Sequence, residues 1–334
     1  MKTVICLILS LCLLCTLSPA FADEEGTIRI GMLTDNGGIN DQSFNQITWE
    51  NLLALAEEDD TFEMDYLESV TDAYFQTNLQ SLIDGDYDLI ICVGYMLADA
   101  TREAALNNPD QRFAIIDDAS CQDLPNVACL MFAQEQAAYL VGLVAGSVTQ
   151  SKTVGYITGK VSDVMNLFGI GYITGVLEAC PEANVLQYNV DNFYDIDSGA
   201  EAARDMIANG ADVIFHAAGS DGLGIIEACS ENGIWAIGVD TDQSVLDPNY
   251  VITSAVKRVD VACQDICKDL KNGSFVAGIH LYDLSNGGVD LAPTRDHIPA
   301  DVLEKVEAAK AAIIAGEITV PTTAEDCPAF ILGQ

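Results

Sequence analysis

From residue 28 onward, short apolar runs alternate with segments whose apolar positions recur at helical spacing. Runs at 28–33, 62–67, 89–93, 113–116 and 127–132 read as strands, with helices expected at 43–58, 73–84, 95–107 and 134–148. A second series follows, with strands at 154–157, 185–189, 213–216, 235–239 and 251–255 and helices at 163–179, 199–209, 222–232 and 258–272. Runs of this kind, repeatedly interleaved with helices, predict parallel sheets covered on both faces. Two consecutive series of similar length predict an α/β protein of two similar lobes. No Pro-rich or Gly/Ser-rich linker separates them, so several ordered crossings are expected, and such a pair can close on a ligand by hinge motion. The tail reads as a closing helix at 300–315 and an ordered strap containing Pro321, Cys327 and Pro328.

The segment Thr34 to Gln46 stands out from this alternation. An apolar strand breaks into a glycine turn rich in carboxylates and amides, then restarts as a helix capped by Asp41 or Ser43. Trp49, Leu52, Leu53 and Ala56 form the expected core stripe of that helix. Phe44 lies about 130° from the stripe's centre at 100° per residue. Its ring is therefore placed at the helix mouth, where it either meets a ligand or packs beneath a loop.

The chain has 334 residues, enough for two lobes. Residues 1–22 read as a cleaved signal peptide: Lys2, an apolar stretch from Val4 to Leu17, and Ala20-Phe21-Ala22 before Asp23. An exported protein is expected, periplasmic or at the extracellular face of the cell membrane. No later stretch is long and apolar enough to suggest a membrane span. Removing Lys2 leaves 13 basic residues against 51 acidic ones, a net charge of −38. Such a field repels nucleic acid and anionic membrane. It serves solubility first, because the carboxylates are spread along the whole chain. Eight cysteines lie beyond the leader, an even number that permits disulfides, and Cys121 and Cys129 could pair across a short loop. Cys263 and Cys267 sit at i, i+4 with no His nearby in sequence, so neither metal nor cofactor is expected.

In open α/β sheets, ligands bind at the carboxyl ends of strands. In the first series those ends carry Asp35, Asn36, Asp41, Phe44 and Asn45, then Gly94 and Tyr95, then Asp117 and Asp118. In the second they carry Phe193 and Asp195, the run Gly219 to Gly224, Asp240 and Asp242, with Lys257 after the last strand. Carboxylates accept from adjacent hydroxyls, as in a sugar diol, and Phe44 and Phe193 from opposite lobes could sandwich a flat ring. Diol and flat ring together suggest a nucleoside. Strand-end Asp residues can instead cap helices. A sugar-binding protein of the same build and an exported nucleoside hydrolase are the alternatives. The latter would want an Asp-x-Asp-x-x-x-Asp-Asp cluster, which Asp240-Thr241-Asp242-Gln243-Ser244-Val245 leaves incomplete. There is no Gly-x-Ser-x-Gly elbow, and Gly219-x-x-Gly222-x-Gly224 lacks the order of a dinucleotide loop.

Five stretches in order carry a resemblance: Asp35 to Gln46 with Trp49-Glu50, Glu135 to Gly146, Gly210 to Phe215, Ile237 to Gln243, and Ser254 to Lys257. Together the chain resembles the BMP (basic membrane protein) family, substrate-binding proteins of ABC transporters of the purine nucleoside receptor type. The resemblance implies a type I periplasmic-binding fold, two Rossmann-like lobes with parallel sheets joined by three crossings. Lobe 1 would comprise 28–132 and about 256–282, and lobe 2 about 133–255 and 283–330. It further implies that the base stacks between Phe44 and Phe193, that Asp35 and Asn45 with Asp117 or Asp118 hold the ligand's polar edges, that Asp240 with Lys257 grips the ribose, and that Gly222 allows close backbone approach. Asn36, in the same turn, is counted with the ligand-binding set. A membrane permease is the implied partner, no catalysis is implied, and a monomer is expected. Leu14 directly before Cys15 makes a poor lipobox, so a soluble exported form is expected over a lipid anchor. Asp191-Asn192 stands where the resemblance leads one to expect Gly-Ser, a difference that bears on base selectivity.

Overall fold

The computed structural model describes residues 26–332; the expected signal peptide lies outside them. The first series forms strands β1 (Ile28–Leu33), β2 (Phe62–Leu67), β3 (Leu89–Cys92), β4 (Arg112–Ile116) and β5 (Val127–Phe132). The second forms β6 (Thr153–Thr158), β7 (Asn184–Asn189), β8 (Val213–Ala217), β9 (Trp235–Asp240) and β10 (Val251–Lys257). Two short strands, β11 (Gly278–Tyr282) and β12 (Val289–Leu291), were not foreseen. They are interrupted by His280 and Asp290, so their apolar signal is weak. The sheet orders are β11-β5-β4-β3-β1-β2 and β12-β10-β9-β8-β6-β7. All described pairings are parallel except β10 with β12. The second order repeats the first position by position, and β11 and β12 place the tail of the chain on both sheets. The backbone passes between the sheets three times, after β5, after β10 and between β11 and β12.

Helices α1 (Phe44–Glu58), α2 (Phe75–Asp84) and α3 (Ala98–Asn107) flank the first sheet, and α4 (Gln134–Val148), α5 (Asp163–Ala179), α6 (Ile196–Ala208) and α7 (Asp221–Glu231) the second. Helix α8 (Val259–Lys271) returns to pack beside α1, held by Gln264 Nε2 donating to Asn51 O at 3.2 Å and by the Lys271–Asp59 ion pair at 2.7 Å. Helix α9 (Ala300–Ile314) lies against α4. Each sheet is covered by apolar side chains on both faces, as a parallel sheet requires. The strap beyond α9 buries Cys327 and Phe330 and runs past β7, where Gln187 binds Ala329 O and Ile331 N. All eight described cysteines are free thiols, Cys121 and Cys129 included, so the two do not form the local bridge that their spacing allowed.

The inner stripe of α1 differs from expectation. Asn45, Thr48, Leu52 and Leu55 are buried, whereas Leu53 is 39% exposed. The first turn of the helix faces a polar cleft, so its inner positions are polar, and only the later turns follow an apolar periodicity. Helices α4 and α5 approach closely through glycines on both sides. A Cβ at Gly142 would fall 2.2 Å from Tyr172 O, and one at Gly175 would fall 2.2 Å from Tyr139 O. Neither backbone can move aside without shifting a whole helix. Gly142→Val and Gly175→Val should each lower stability by about 2 kcal/mol or more, seen as an earlier urea midpoint; an unchanged midpoint would mean that the helices are not in this contact.

Candidate functional site

The carboxyl ends of the two sheets enclose a cleft. The first sheet contributes Asp35, Gly37, Asp41, Phe44 and Asn45 after β1, Gly94 and Tyr95 after β3, and Asp117 after β4. The second contributes Met165 and Phe168 from the start of α5, Phe193 from the loop after β7, Ala217 to Gly219 around the end of β8, Val239 and Asp240 from β9, and Lys257 from β10. Strands β4 and β9 hold the same place in their sheets. Asp117 and Asp240, at their ends, share the left-handed conformation with φ of 64° and 65°. Asp tolerates that region better than bulkier residues do, and the paired turns aim one carboxylate from each lobe at the cleft.

Polar links between the described residues join the lobes. Lys257 Nζ donates to Asp117 Oδ2, with both side chains almost wholly buried. Ser43 Oγ donates to Asp240 Oδ2 at 2.5 Å, and Gln243 Nε2 to the Gln42 carbonyl at 3.1 Å. The Lys257 ammonium also lies 4.8 Å from the Phe44 ring centroid, 5.1 Å from that of Phe132 and 5.7 Å from that of Phe168. Asp41, rather than Ser43, caps α1: its carboxylate accepts from the backbone N–H groups of Ser43, Asn45 and Gln46 at 2.9–3.0 Å. Ser43 is thereby left to bridge the lobes.

Of the ten residues expected to bind ligand, seven line the cleft: Asp35, Phe44, Asn45, Asp117, Phe193, Asp240 and Lys257. Asn36, Asp118 and Gly222 do not. Asn36 turns to Asp72, donating to its Oδ1 at 2.6 Å. Asp118 folds back to accept from Ser120 N at 2.8 Å. At Gly222 a Cβ would fall 2.1 Å from His216 Cε1, so the missing side chain makes room for an imidazole behind the sheet rather than for a ligand. Glycine does serve the site elsewhere: a Cβ at Gly159 would fall 2.2 Å from Phe193 Cδ1, so the ring lies directly on that glycine. Met165 and Phe168 escaped the sequence reading because they resemble core positions of an apolar helix; their place in the first turns after Ser162, at a strand end, was the usable signal.

The cleft gathers four carboxylates, Asp35, Asp41, Asp117 and Asp240, against the single ammonium of Lys257. Burial pushes Asp35 up to about 6, against the opposing hydrogen bonds from Gly37 N and the Asn45 amide. Burial likewise pushes Asp240 up to about 6, opposed by Lys257 and Ser43. Asp41 is also raised by burial in spite of its helix-capping bonds. Asn45 Oδ1 and Asp117 Oδ1 are buried in the cleft wall with no hydrogen-bond partner. Such groups are costly unless something donates to them.

This arrangement, two lobes closing acidic and aromatic walls over one cleft, coincides with a match along residues 28–324 to Bmp, described as "ABC transporter substrate-binding protein PnrA-like". The chain belongs to the Bmp family. Among its relatives is the CD4+ T-cell-stimulating antigen of Listeria monocytogenes, 37% identical over 313 residues that cover 87% of each chain. Another is the ABC transporter nucleoside-binding protein BmpA of Lactococcus lactis, 35% identical, covering 88% of this chain and 89% of the relative. Among solved structures, an ABC transporter solute-binding protein from Aeropyrum pernix superposes with a TM-score of 0.83 at 27% identity, covering 89% of this chain and 95% of that one. This Bmp-family protein is thus an ABC transporter substrate-binding protein of the type I two-lobed α/β fold. Among the described residues, no helix is long and apolar enough to cross a membrane.

The buried acids set a pH dependence. Asp35 and Asp240 at about 6, with Glu135 and Asp221 pushed by burial to about 7, hold protons in the folded protein that the unfolded chain has already released. Each therefore stabilises the fold as pH falls from 7.5 towards 5. His216, pushed by burial down to about 4, acts in the opposite sense, since the unfolded chain binds its proton near 6.5. The four acids outweigh one imidazole, so the protein without added ligand should melt higher at pH 5.5 than at pH 7.5, and Asp240→Asn should flatten the trend. A melting temperature that falls over that range would contradict the burial of these groups.

Proposed function

We propose that this protein binds a nucleoside in the cleft between its lobes, outside the cytoplasmic membrane, and delivers it unchanged to a membrane permease. The observation that carries the reading is the placement of two rings, Phe44 from one lobe and Phe193 from the other, on a single cleft whose remaining polar groups are mostly hydrogen-bond acceptors. A flat base offers both faces to such rings, and ribose hydroxyls donate to carboxylates. The printed description of the Lactococcus lactis relative as nucleoside-binding supports the same reading. Asp240, fixed by Ser43 and facing Lys257, is suited to the sugar, and Asp35 with Asn45 to the base. Closure would bend the three crossings and bring Asp117 to Lys257, so affinity would arise from burial with no bond made or broken. The leader at 1–22 and the family's role support export, and nothing in the cleft requires a second copy of the chain.

The four carboxylates argue that a 5′-phosphate is repelled. Titration calorimetry should therefore give tight binding of inosine or guanosine, weak binding of ribose, and little or none of inosine 5′-monophosphate. Phe193→Ala and Phe44→Ala should each weaken nucleoside binding about 10- to 100-fold, as loss of one base–aromatic stack does, and leave the weak ribose binding nearly unaltered. Ribose binding as tightly as every nucleoside, or free base accumulating during incubation, would overturn the reading.

A further inference from the structure

We propose that Asp41, a residue whose visible task is to cap α1, fixes the orientation of the Asn45 amide so that this residue turns its oxygen to the lobe-1 wall of the cleft, and that the site therefore selects nucleosides whose base carries an N–H donor. This rests on the nucleoside reading above and adds the polarity of the base edge to it.

An asparagine amide normally offers either its oxygen or its NH₂ by rotating half a turn, and a wall built from one is neutral as to donors and acceptors. Asn45 has no such freedom. Its Nδ2 donates to Asp35 Oδ1 at 2.9 Å and to Asp41 Oδ2 at 3.0 Å, occupying both N–H bonds. Reversal would set the amide oxygen against two carboxylate oxygens. Neither acid can swing away. Asp41 is held by the N–H groups of Ser43, Asn45 and Gln46 at the start of α1, and Asp35 Oδ1 also accepts from Gly37 N at 2.9 Å. Asn45 is 2% exposed, and its Oδ1 lies in the cleft wall without a partner. Asp117 behaves alike: Lys257 occupies one oxygen, and the other is buried and unpartnered. The helix start thus dictates Asp41, Asp41 with Asp35 dictates Asn45, and the atom left without a partner is an oxygen. Asp41 is a positioning residue, acting on the ligand through Asn45.

The test uses the full mature chain and three ligands. Inosine has a ring N–H, whereas purine riboside and 1-methylinosine have no N–H on the base. Calorimetry on the unaltered protein should show inosine bound about 30-fold more tightly than either, because a base without a donor leaves buried oxygens unpaired. In the double variant Asp35→Asn with Asp41→Asn no carboxylate stands against a reversed Asn45 amide, which can then turn its own NH₂ to the cleft; the preference for inosine over purine riboside should then shrink to about 3-fold or less, and Asp41→Asn alone, with Asp35 still opposing reversal, should reduce it by a smaller factor. Asn45→Leu, with no amide to orient, should lose the preference as well. A lesion confined to the helix cap would weaken both ligands alike and leave their ratio intact. Inosine and purine riboside bound within twofold by the unaltered protein would overturn the inference while leaving the nucleoside reading in place. So would the full preference retained both in Asp41→Asn and in the double variant. Failure of all three ligands to bind would overturn the nucleoside reading itself.

Discussion

Closing two sheet edges over a polar ligand forces charge out of water, and here it forces four carboxylates into one cleft with one ammonium. A buried charge without a partner is costly, and a buried pair is tolerated only where geometry and further hydrogen bonds compensate its desolvation. The Lys257–Asp117 pair meets that demand between the lobes. Phe44, Phe132 and Phe168 surround the ammonium, excluding water from it while presenting their electron-rich faces. The remaining acids are accommodated by different means: Asp41 by a helix start, Asp240 by Ser43 and Asp35 by Gly37 and Asn45. The residues that join the lobes are therefore also residues of the cleft wall.

The repeated topology explains why these groups meet. With β4 and β9 in matching places, Asp117 and Asp240 arrive from opposite sides in the same left-handed turn, and β5 and β10 bring Phe132 and Lys257 to neighbouring ends. The two halves have diverged in use. The first supplies most of the fixed polar wall through the turn before α1. The second supplies Phe193, Phe168 and Met165, a more apolar wall resting on Gly159 and Ala217 to Gly219. A planar guest with one polar edge fits between walls of such unequal character.

Much of this was legible in the sequence, because parallel strands buried on both faces leave uninterrupted apolar runs and the ligand edge of each strand is marked by Asp, Gly or aromatic residues. Strands β1 to β10 are all read from that signal. The edge strands β11 and β12 were not, since short pairings at a sheet margin leave little periodicity, and the inner stripe of α1 was misread because a cleft-facing helix turn buries polar residues such as Asn45 and Thr48. The close approach at Gly222 is an implication of the family resemblance; the neighbouring His216, six residues earlier in the chain and across the strand–helix packing, is what a side chain there would meet. The partner of Lys257 was equally out of reach. A link between residues 117 and 257 depends on how two lobes fold together, and no local pattern encodes it.

The type I fold and the Bmp family place this chain among ABC transporter substrate-binding proteins, and the proposed solute is flat, donor-rich and uncharged. The most direct measurement is a crystal structure of the protein grown with a purine nucleoside. The base should lie between the Phe44 and Phe193 rings with an N–H directed at Asn45 Oδ1, and with Lys257 still bridged to Asp117 across the closed lobes. A nucleoside seated elsewhere, or held in the cleft with those two rings on the same side of the base or away from it, would contradict the clamp.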